Sequence, residues 1–318
     1  MQGKFEMSMT TPKVNILLST YNGVRFLGAQ LDSLLKQDYP SIDLYIRDDG
    51  STDNTFNLLQ GYQDKFSHIR LIKGNNIGWK HSFFELVLTC EDDMDNSLYA
   101  FCDQDDVWNP EKISRAVEKI QKSPNPSMTL YFSRVVRVDA ELKQLHLSSI
   151  PKHISFGNAV CEPAVLGCST VFGREIKQMF TKGNPNNMIG HDWWIYLLAT
   201  AFGDVIYDKE PQILYRIHDG NTSFSRSGFM LFKFKSKEFI EKLTKNKRDF
   251  DFLCQAKNFT KTYNSISADN KKITDELFSA KHTGKMLSRL SCAVKNKIFY
   301  NTLMEDFFLK LTIIFGCY

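Results

Sequence analysis

The chain has 318 residues, of which 42% are hydrophobic and 24% are charged, and these are the proportions of an ordinary soluble globular protein. Its seven cysteines are an odd number with no C-x-x-C pair, which argues against a disulfide framework and a zinc site and suits a reducing cytosol. No apolar run reaches the roughly 18 residues of a membrane span, and the N-terminus lacks the apolar core of a signal peptide. We therefore expect a cytoplasmic protein.

The net charge of +4 conceals an asymmetry between two parts of the chain. Residues 1–224 contain 22 Lys and Arg against 27 Asp and Glu, a balance of −5, whereas residues 225–318 contain 18 against 9, a balance of +9. Such a shift marks a boundary. It predicts a first domain over 1–225 and a basic extension over 226–318.

Short apolar strands alternate with amphipathic helices in the first part of the chain. The predicted strands are Val14–Leu18, Leu44–Ile46, Ile69–Ile72 and Leu98–Cys102. Helical spacing follows them over 26–35, 52–59 and 83–88, and Pro110 is placed to open a fourth helix at its first position. This alternation predicts an α/β fold with a mostly parallel sheet flanked by helices.

Polar clusters follow three of these strands, at Ser19–Asn22, Asp48–Asp49 and Asp103–Asp106. Ligands of open α/β sheets bind at the carboxyl ends of the strands, so the three clusters are expected at one edge. Neither G-x-G-x-x-G nor G-x-x-x-x-G-K-[ST] is present in the sequence, which excludes a dinucleotide fingerprint and a P-loop. A nucleotide at this edge would have to be held by carboxylates, an aromatic ring and a metal ion.

The acidic motif Asp103-Gln104-Asp105-Asp106 places three carboxylates within four residues after an apolar strand. Such charges repel one another unless a cation offsets them, and Mg²⁺ commonly bridges carboxylates to substrate phosphates. A cap for the helix after Pro110 would need only one aspartate. An EF-hand loop is excluded because its sixth and twelfth positions would be Trp108 and Ser114.

Two later motifs contain residues that can carry chemistry. Asp192 precedes an apolar helical run, where it could act as an acid or base or simply cap the helix while the tryptophans beside it fill the core. Arg216 and His218 follow a strand at Ile213–Leu214, and His218 could equally be an exposed loop residue. No second histidine follows His191 at the spacing of a zinc protease.

Four motifs together resemble family 2 glycosyltransferases with the GT-A fold. They are Leu17–Asn22, Asp48–Asp53, Asn76–Gly78 and Asp103–Asp106, which occur in the family's order and spacing. The resemblance covers about residues 12–225, with a nucleotide half over about 12–125 and an acceptor half over 126–225. The version Asp-Gln-Asp-Asp-Val-Trp is most similar to bacterial rhamnosyltransferase-like enzymes of surface-polysaccharide assembly.

The resemblance implies a role for individual residues. Asp49, supported by Asp48, would accept the imide N–H of uracil or thymine, Tyr21 would stack on the base and Asp192 would be the general base. The implied nucleotide-sugar contacts are Ser19, Tyr21, Asp48, Asp49, Asn76, Gly78, Lys80, Asp103, Asp105, Gly167 and Arg216. Asp105, Asp106 and His218 would bind Mg²⁺ or Mn²⁺.

The basic extension carries no recognisable catalytic motif. Apolar and lysine residues mix over 229–245, and Phe307–Phe315 is apolar with one lysine. These segments are expected to form helices that either pack on the catalytic domain or attach to an anionic membrane at the inner face of the cell. Binding to nucleic acid is the weaker interpretation and is not expected, because no matching motif accompanies the charge.

The sequence thus predicts an inverting, metal-dependent glycosyltransferase. It would move a hexose or deoxyhexose, with rhamnose favoured, from a UDP- or dTDP-sugar to a hydroxyl of a lipid-linked glycan acceptor. Two alternatives stay open. A sugar-1-phosphate nucleotidyltransferase usually opens with a glycine-rich basic loop, which Ser19–Asn22 does not resemble. A non-catalytic carbohydrate- or nucleotide-binding protein on a degenerate GT-A domain would be expected to have lost its carboxylates.

Overall fold

The computed structural model describes residues 11–91, 96–219, 236–237, 239–241, 252–282, 286–295 and 298–316. In these residues nine strands form one sheet. The strands are β1 (Val14–Thr20), β2 (Ile42–Asp48), β3 (Ile69–Lys73), β4 (Leu98–Cys102), β5 (Val107–Trp108), β6 (Thr129–Val138), β7 (Gln144–Leu147), β8 (Thr170–Gly173) and β9 (Asp204–Arg216).

Residues 236–237 and 239–241 are helical, and eleven further α-helices have defined bounds in the described residues. They are α1 (Val24–Leu35), α2 (Thr55–Gln63), α3 (Trp79–Thr89), α4 (Lys112–Gln121), α5 (Phe156–Cys161), α6 (Arg174–Phe180), α7 (His191–Phe202), α8 (Phe252–Thr262), α9 (Ala268–His282), α10 (Met286–Lys295) and α11 (Leu303–Phe315). Short 3-10 helices span Pro126–Met128, Gly167–Ser169 and Pro185–Asn187.

The first four strands form the parallel part of the sheet. β1 lies between β2 and β4, and β2 continues to β3, all in parallel register. Their side chains alternate between two cores: Ile16 and Leu18 of β1 face one hydrophobic cluster, whereas Leu17 faces the other. Both faces are therefore covered, as the apolar strand sequences predicted, and the α/β fold is confirmed.

The second half of the sheet is mixed. β6 is parallel to β9 but antiparallel to β7 and β8, and β8 joins the first half by pairing antiparallel with β4. The order along the sheet is β3-β2-β1-β4-β8-β6-β9-β5, with β7 beside β6. Strands β1 to β4 are thus joined by parallel pairs alone, whereas the second half combines the parallel β6–β9 pair with antiparallel pairs.

The described helices of the C-terminal region pack on the α/β domain. Phe259 of α8 is fully buried, and its ring lies 5.3 Å from Trp194 of α7 and 6.0 Å from Phe156 of α5, centroid to centroid. Leu277 of α9 and Ile313 of α11 belong to the same hydrophobic cluster. A helical region is therefore confirmed, while the predicted boundary near residue 225 lies outside the described residues.

Three local features refine the predicted elements. Helix α4 begins at Lys112, so Pro110 lies before the helix and not at its first position. Of the predicted segment over 229–245, the structure describes only 236–237 and 239–241. Among the described helices, none combines the length and the apolar character needed to cross a bilayer.

Candidate active site

A cleft of about 730 Å³ lies at the carboxyl ends of β1, β2 and β4, which is a size typical of sites for small ligands. The parallel register brings these strand ends together. Nine of the predicted residues line the cleft, namely Ser19, Tyr21, Asp49, Asn76, Gly78, Asp103, Asp105, Gly167 and Asp192. The predicted residues Asp48, Lys80, Asp106, Arg216 and His218 are not part of its lining.

Asp48 organises the turn after β2. It is buried, its Oδ2 accepts the Ser51 N–H at 3.0 Å, and its Oδ1 accepts the hydroxyls of Ser51 at 2.5 Å and Thr20 at 3.1 Å. These bonds use most of the capacity of the carboxylate. Asp48 therefore holds the turn in place and, with it, the neighbouring residue Asp49.

Asp49 is held by a cation and by two backbone amides. Oδ1 accepts from the Arg47 guanidinium and from the Ile77 N–H at 3.0 Å, and Oδ2 accepts from the Gly78 N–H at 2.8 Å. Arg47 also donates to Ser82 Oγ at 3.0 Å, and the hydroxyl of Ser82 lies 2.6 Å from that of Ser19. The strand ends and the start of α3 are thus tied together by one polar network.

The segment before α3 approaches the cleft as predicted, except for its lysine. Asn76 is exposed, and its Oδ1 accepts the Gly78 N–H at 3.2 Å. Gly78 has φ +83°, which favours glycine. Lys80, in contrast, donates from Nζ to the Met188 carbonyl at 3.0 Å and does not line the cleft. The structure therefore does not place Lys80 at the cleft, where it was expected to contact phosphates.

Tyr21 lies at the mouth of the cleft with 43% of its surface exposed, so it is not a core residue. Its backbone is bracketed by the amide of Gln104: the Tyr21 N–H donates to Oε1 at 2.9 Å, and Nε2 donates to the Tyr21 carbonyl at 3.1 Å. The acidic motif is thereby fastened to the end of β1. Tyr21 and Asp49 line the same cleft.

The acidic motif is more buried than its composition indicated. Asp106 is fully buried and its Oδ2 has no hydrogen-bond partner among the described residues, whereas Oδ1 accepts the Arg216 N–H at 3.0 Å. Burial, together with the carboxylates of Asp105 and Asp192, raises the pKa of Asp103 to about 7. Burial likewise raises the pKa of Asp106. Each charge at this motif therefore requires compensation.

Arg216 and His218 reach this motif from the end of β9. Nε2 of His218 lies 2.8 Å from Oδ2 of Asp105, so His218 is not a free loop residue. Arg216 is buried, and its Nε donates to the Asp105 carbonyl at 2.7 Å. It is also not among the residues that line the cleft. Its side chain supports the loop of the motif, and the expected fork towards a diphosphate is not seen here.

The residues present fit a hard divalent cation. Within the described residues, the side chains whose ligand atoms lie within 4.8 Å of one another are Asp103, Asp106 and Cys168. Carboxylate oxygens suit Mg²⁺ and Mn²⁺, whereas a thiol does not, and burial raises the pKa of Cys168. The unpartnered Oδ2 of Asp106 supplies the observation that favours an ion. Asp105 could join this set if it turned from His218.

Asp192 enters the cleft from the first turn of α7, one residue after His191. His191 is packed between Phe83, whose ring centroid lies 4.0 Å away, and Phe101, at 4.5 Å. Burial lowers the pKa of His191 to about 4, so the imidazole is neutral at pH 7. Beside Asp192, Trp193 lines the cleft while Trp194 fills the core. Gly190, and not Asp192, caps the helix.

Several residues of the site were missed by the sequence interpretation. Arg47 holds Asp49, Ser82 accepts from Arg47, Gln104 holds Tyr21, and Trp79 and Tyr215 line the cleft. Gln104 lies inside the acidic motif, so its position could have been noted. The pairing of Arg47 with Asp49 was less visible, because β2 ends at Asp48 and the alternation of side chains along a strand does not fix the direction of the residue after it.

Comparison with known proteins agrees with this arrangement. The family model described as "Glycosyl transferase family 2" matches residues 15–177. The chain is 30% identical over 215 residues to "dTDP-rhamnosyl transferase RfbG" of Shigella flexneri, which covers 64% of this chain and 72% of that protein. It is 28% identical to the "Uncharacterized glycosyltransferase alr2836" of Nostoc sp., over 67% of each chain.

Solved structures resemble the fold at low sequence identity. S. aureus TarS 1-349 in complex with UDP has a TM-score of 0.54 at 13% identity and covers 95% of this chain and 90% of its own. The mannosyltransferase PcManGT from Pyrobaculum calidifontis, in complex with GDP-Man and Mn²⁺, has a TM-score of 0.50 at 14% identity and covers 97% and 86%. Together with the glycosyltransferase relatives, these likenesses support the GT-A-like architecture.

Gly167 gives the first test of the site's packing. A methyl group at this position would lie 2.8 Å from Nε2 of His191, which cannot retreat between its two phenylalanines. We expect Gly167→Ala to lower the free energy of unfolding by about 1–3 kcal/mol. Gly28→Ala in α1 has open space and should instead stabilise by about 0.4–1 kcal/mol. Urea denaturation measures both, and equal effects would contradict the packing described.

Proposed function

The chain belongs to glycosyltransferase family 2, and from that premise we propose that it transfers a hexose or deoxyhexose from a UDP- or dTDP-sugar to a glycan hydroxyl, with inversion and with Mg²⁺ or Mn²⁺. The observation that carries the proposal is the convergence of carboxylates from three elements on one cleft. Asp49 follows β2, Asp103 and Asp105 follow β4, and Asp192 lies in α7. A nucleotide-sugar needs contacts of this kind at its base, its diphosphate and its transferred sugar.

Asp49 is proposed to recognise the base. Its Oδ2 accepts one backbone amide, so the oxygen retains capacity for the imide N–H of uracil or thymine. Cytosine offers an acceptor at that position and would be rejected. The Shigella flexneri relative is named a dTDP-rhamnosyl transferase, which favours dTDP-rhamnose as the donor. Burial of the methyl group of thymine would add at most about 1 kcal/mol to the binding free energy.

Asp105 and Asp106, with Asp103 and His218 beside them, are proposed to hold the metal. When bound, the ion would neutralise charge that develops on the leaving diphosphate. The chain itself contributes the orientation: Gln104 fixes the loop to Tyr21, and Arg216 fixes it to β9. Ser19, Asn76, Gly78 and Gly167 complete the proposed surface for the nucleotide-sugar.

Asp192 is proposed to act as the general base. It would take the proton of the acceptor hydroxyl while that oxygen attacks C1 of the sugar, and a single displacement of this kind inverts the anomeric carbon. The side chain suits this task because it lines the cleft at the start of α7. Gly167 leaves room for His191, the residue before Asp192, since a Cβ there would lie 2.8 Å from Nε2 of His191.

A lipid-linked acceptor would explain an apolar surface on the C-terminal helices. Leu287 and Leu303 are each 80% exposed, and Met286 and Phe307 are more than half exposed on the same two helices, α10 and α11. The region from residue 225 onwards carries the +9 balance. Apolar side chains that enter a bilayer beside basic residues bind anionic lipid surfaces. We propose that this surface attaches the enzyme to a membrane peripherally.

Nucleotide binding tests the donor site. A thermal-shift series of nucleoside diphosphates with and without Mn²⁺ should give metal-dependent stabilisation by UDP or dTDP, about 2.7 kcal/mol at a hundredfold excess over Kd. Asp106→Asn should abolish the shift while leaving the free protein folded, because it removes a buried charge. Asp64→Asn, at an exposed site, is the matched control. The absence of any shift in the native protein would favour the degenerate-domain alternative.

Turnover tests the base. Asp192→Asn should leave donor binding intact and lower kcat by at least about 10²-fold, because a positioned base contributes roughly that much. The release of dTDP or UDP in the presence of acceptor measures the rate, and Asp64→Asn again serves as the control. A variant with nearly native turnover would remove Asp192 from the mechanism.

Vesicle binding tests the membrane surface. The double variant Leu287→Gln/Leu303→Gln should co-sediment with anionic vesicles at least about tenfold more weakly, since two leucine side chains no longer transfer from water. Leu88→Gln changes a leucine that is 49% exposed on α3 and should bind as the native protein does. Equal sedimentation of all three proteins would reject this surface as the attachment site.

A further inference from the structure

A second, smaller cavity adjoins the cleft. It has a volume of about 150 Å³ and shares Pro163 and Leu166 with the main cleft. The segment 163–166 therefore borders both spaces. The floor of the smaller cavity comes from β6 and β9, and Asn301, just before α11, closes one side.

Three polar groups that line this cavity are buried without a partner among the described residues. They are Ser133 Oγ, Tyr207 Oη and Arg137 Nε. Ser133 is only 4% exposed. Buried hydroxyls and guanidinium nitrogens are nearly always hydrogen-bonded in native proteins, to protein, to ordered water or to a ligand. Three such groups around one cavity indicate a site that a polar molecule completes.

The remaining lining shows which chemistry would fit. Glu162 lines the cavity, and its Oε2 accepts the Asn301 N–H at 2.7 Å and the amides of Asn301 and Asn158 at 3.2 Å each. These three bonds all use Oε2, so Oε1 can accept from a ligand. The Phe132 and Tyr207 rings, with centroids 5.0 Å apart, add an apolar surface.

We propose that this cavity is a subsite for a sugar unit of the acceptor glycan, next to the unit whose hydroxyl is glycosylated. Arg137 and Glu162 are the ionisable side chains of the lining other than Tyr207, and burial raises the pKa of Glu162 to about 7, so this carboxyl group can donate as well as accept hydrogen bonds near neutral pH. Hydroxyl groups both donate and accept, which matches the mixture of Ser133, Tyr207, Arg137 and Glu162. An apolar ring face suits the C–H face of a sugar. The proposal rests on the proposed glycosyltransferase function and would give the enzyme its acceptor specificity.

Direct binding of methyl glycosides to the full chain tests the proposal. The probes are the methyl α-glycosides of rhamnose, glucose, galactose and N-acetylglucosamine, measured by saturation-transfer NMR with Mn²⁺ replaced by Mg²⁺ and with UDP or dTDP present. At least one glycoside should receive saturation from the native protein. Tyr207→Phe should weaken its binding about threefold to tenfold, and Ser133→Ala/Tyr207→Phe about tenfold or more, since each lost hydrogen bond is of that size.

The variants are chosen to remain folded. Removing a buried hydroxyl that has no partner is neutral or stabilising, so Tyr207→Phe should unfold no earlier than the native protein. Tyr62→Phe is the matched control: its hydroxyl donates to Asp32 at 2.7 Å between α1 and α2, far along the chain from this cavity, and its glycoside binding should be native.

The outcomes distinguish failure of the proposed acceptor subsite from failure of the proposed glycosyltransferase function. Glycoside binding that is lost in Tyr207→Phe and kept in Tyr62→Phe supports the subsite. No glycoside binding, or binding that is equal in both variants, overturns it and leaves a cavity filled by water, even if the nucleotide shift is intact. A missing nucleotide shift in the native protein counts against the donor site alone, because the NMR measurement does not depend on turnover.

Discussion

The parallel pairing of β1 with β2 and β4 is the constraint on which the site depends. Register places Thr20 opposite Asp48 and Leu18 opposite Cys102, so the chain leaves the three strands at almost the same level. Each strand then ends in polar residues that could not continue a buried sheet. Because β1 is central in this part, the end of β1 meets both turns: Gln104 brackets the backbone of Tyr21, and Asp49 donates its N–H to the Thr20 carbonyl at 2.7 Å. The cleft follows from that arrangement.

Concentrating carboxylates at buried strand ends has an electrostatic cost that the protein offsets unevenly. Asp49 is paired with Arg47 and with two backbone amides, so its position is fixed before any ligand binds. The acidic motif is not matched in the same way. Lys112 is buried behind it, with Nζ 3.4 Å from the centroid of the Trp108 ring, and burial lowers the pKa of this lysine to about 7. Because Lys112 is readily deprotonated, its positive charge offsets the negative charge of the acidic motif only weakly. A bound cation could supply the remaining positive charge.

The sequence was sufficient for the α/β fold and for most of the cleft, because both depend on local patterns. Apolar runs defined β1 to β4, and polar residues at their ends identified nine lining residues. The sequence did not predict the hydrogen-bond partners of long side chains when those partners lie far away in the chain. Lys80 and Arg216 were expected at phosphates, yet one bonds the Met188 carbonyl and the other the Asp105 carbonyl. Such choices depend on backbone groups more than 100 residues away, which no local pattern encodes.

The segment 163–166 borders both the main cleft and the smaller cavity. Pro163 and Leu166 line the main cleft together with Asp192, and they also line the smaller cavity together with Ser133 and Tyr207. Glu162 immediately precedes this segment and accepts a hydrogen bond from the N–H of Asn301, just before α11. The C-terminal helices therefore help to hold the segment in place. The position of those helices would then bear on acceptor selection as well as on membrane attachment.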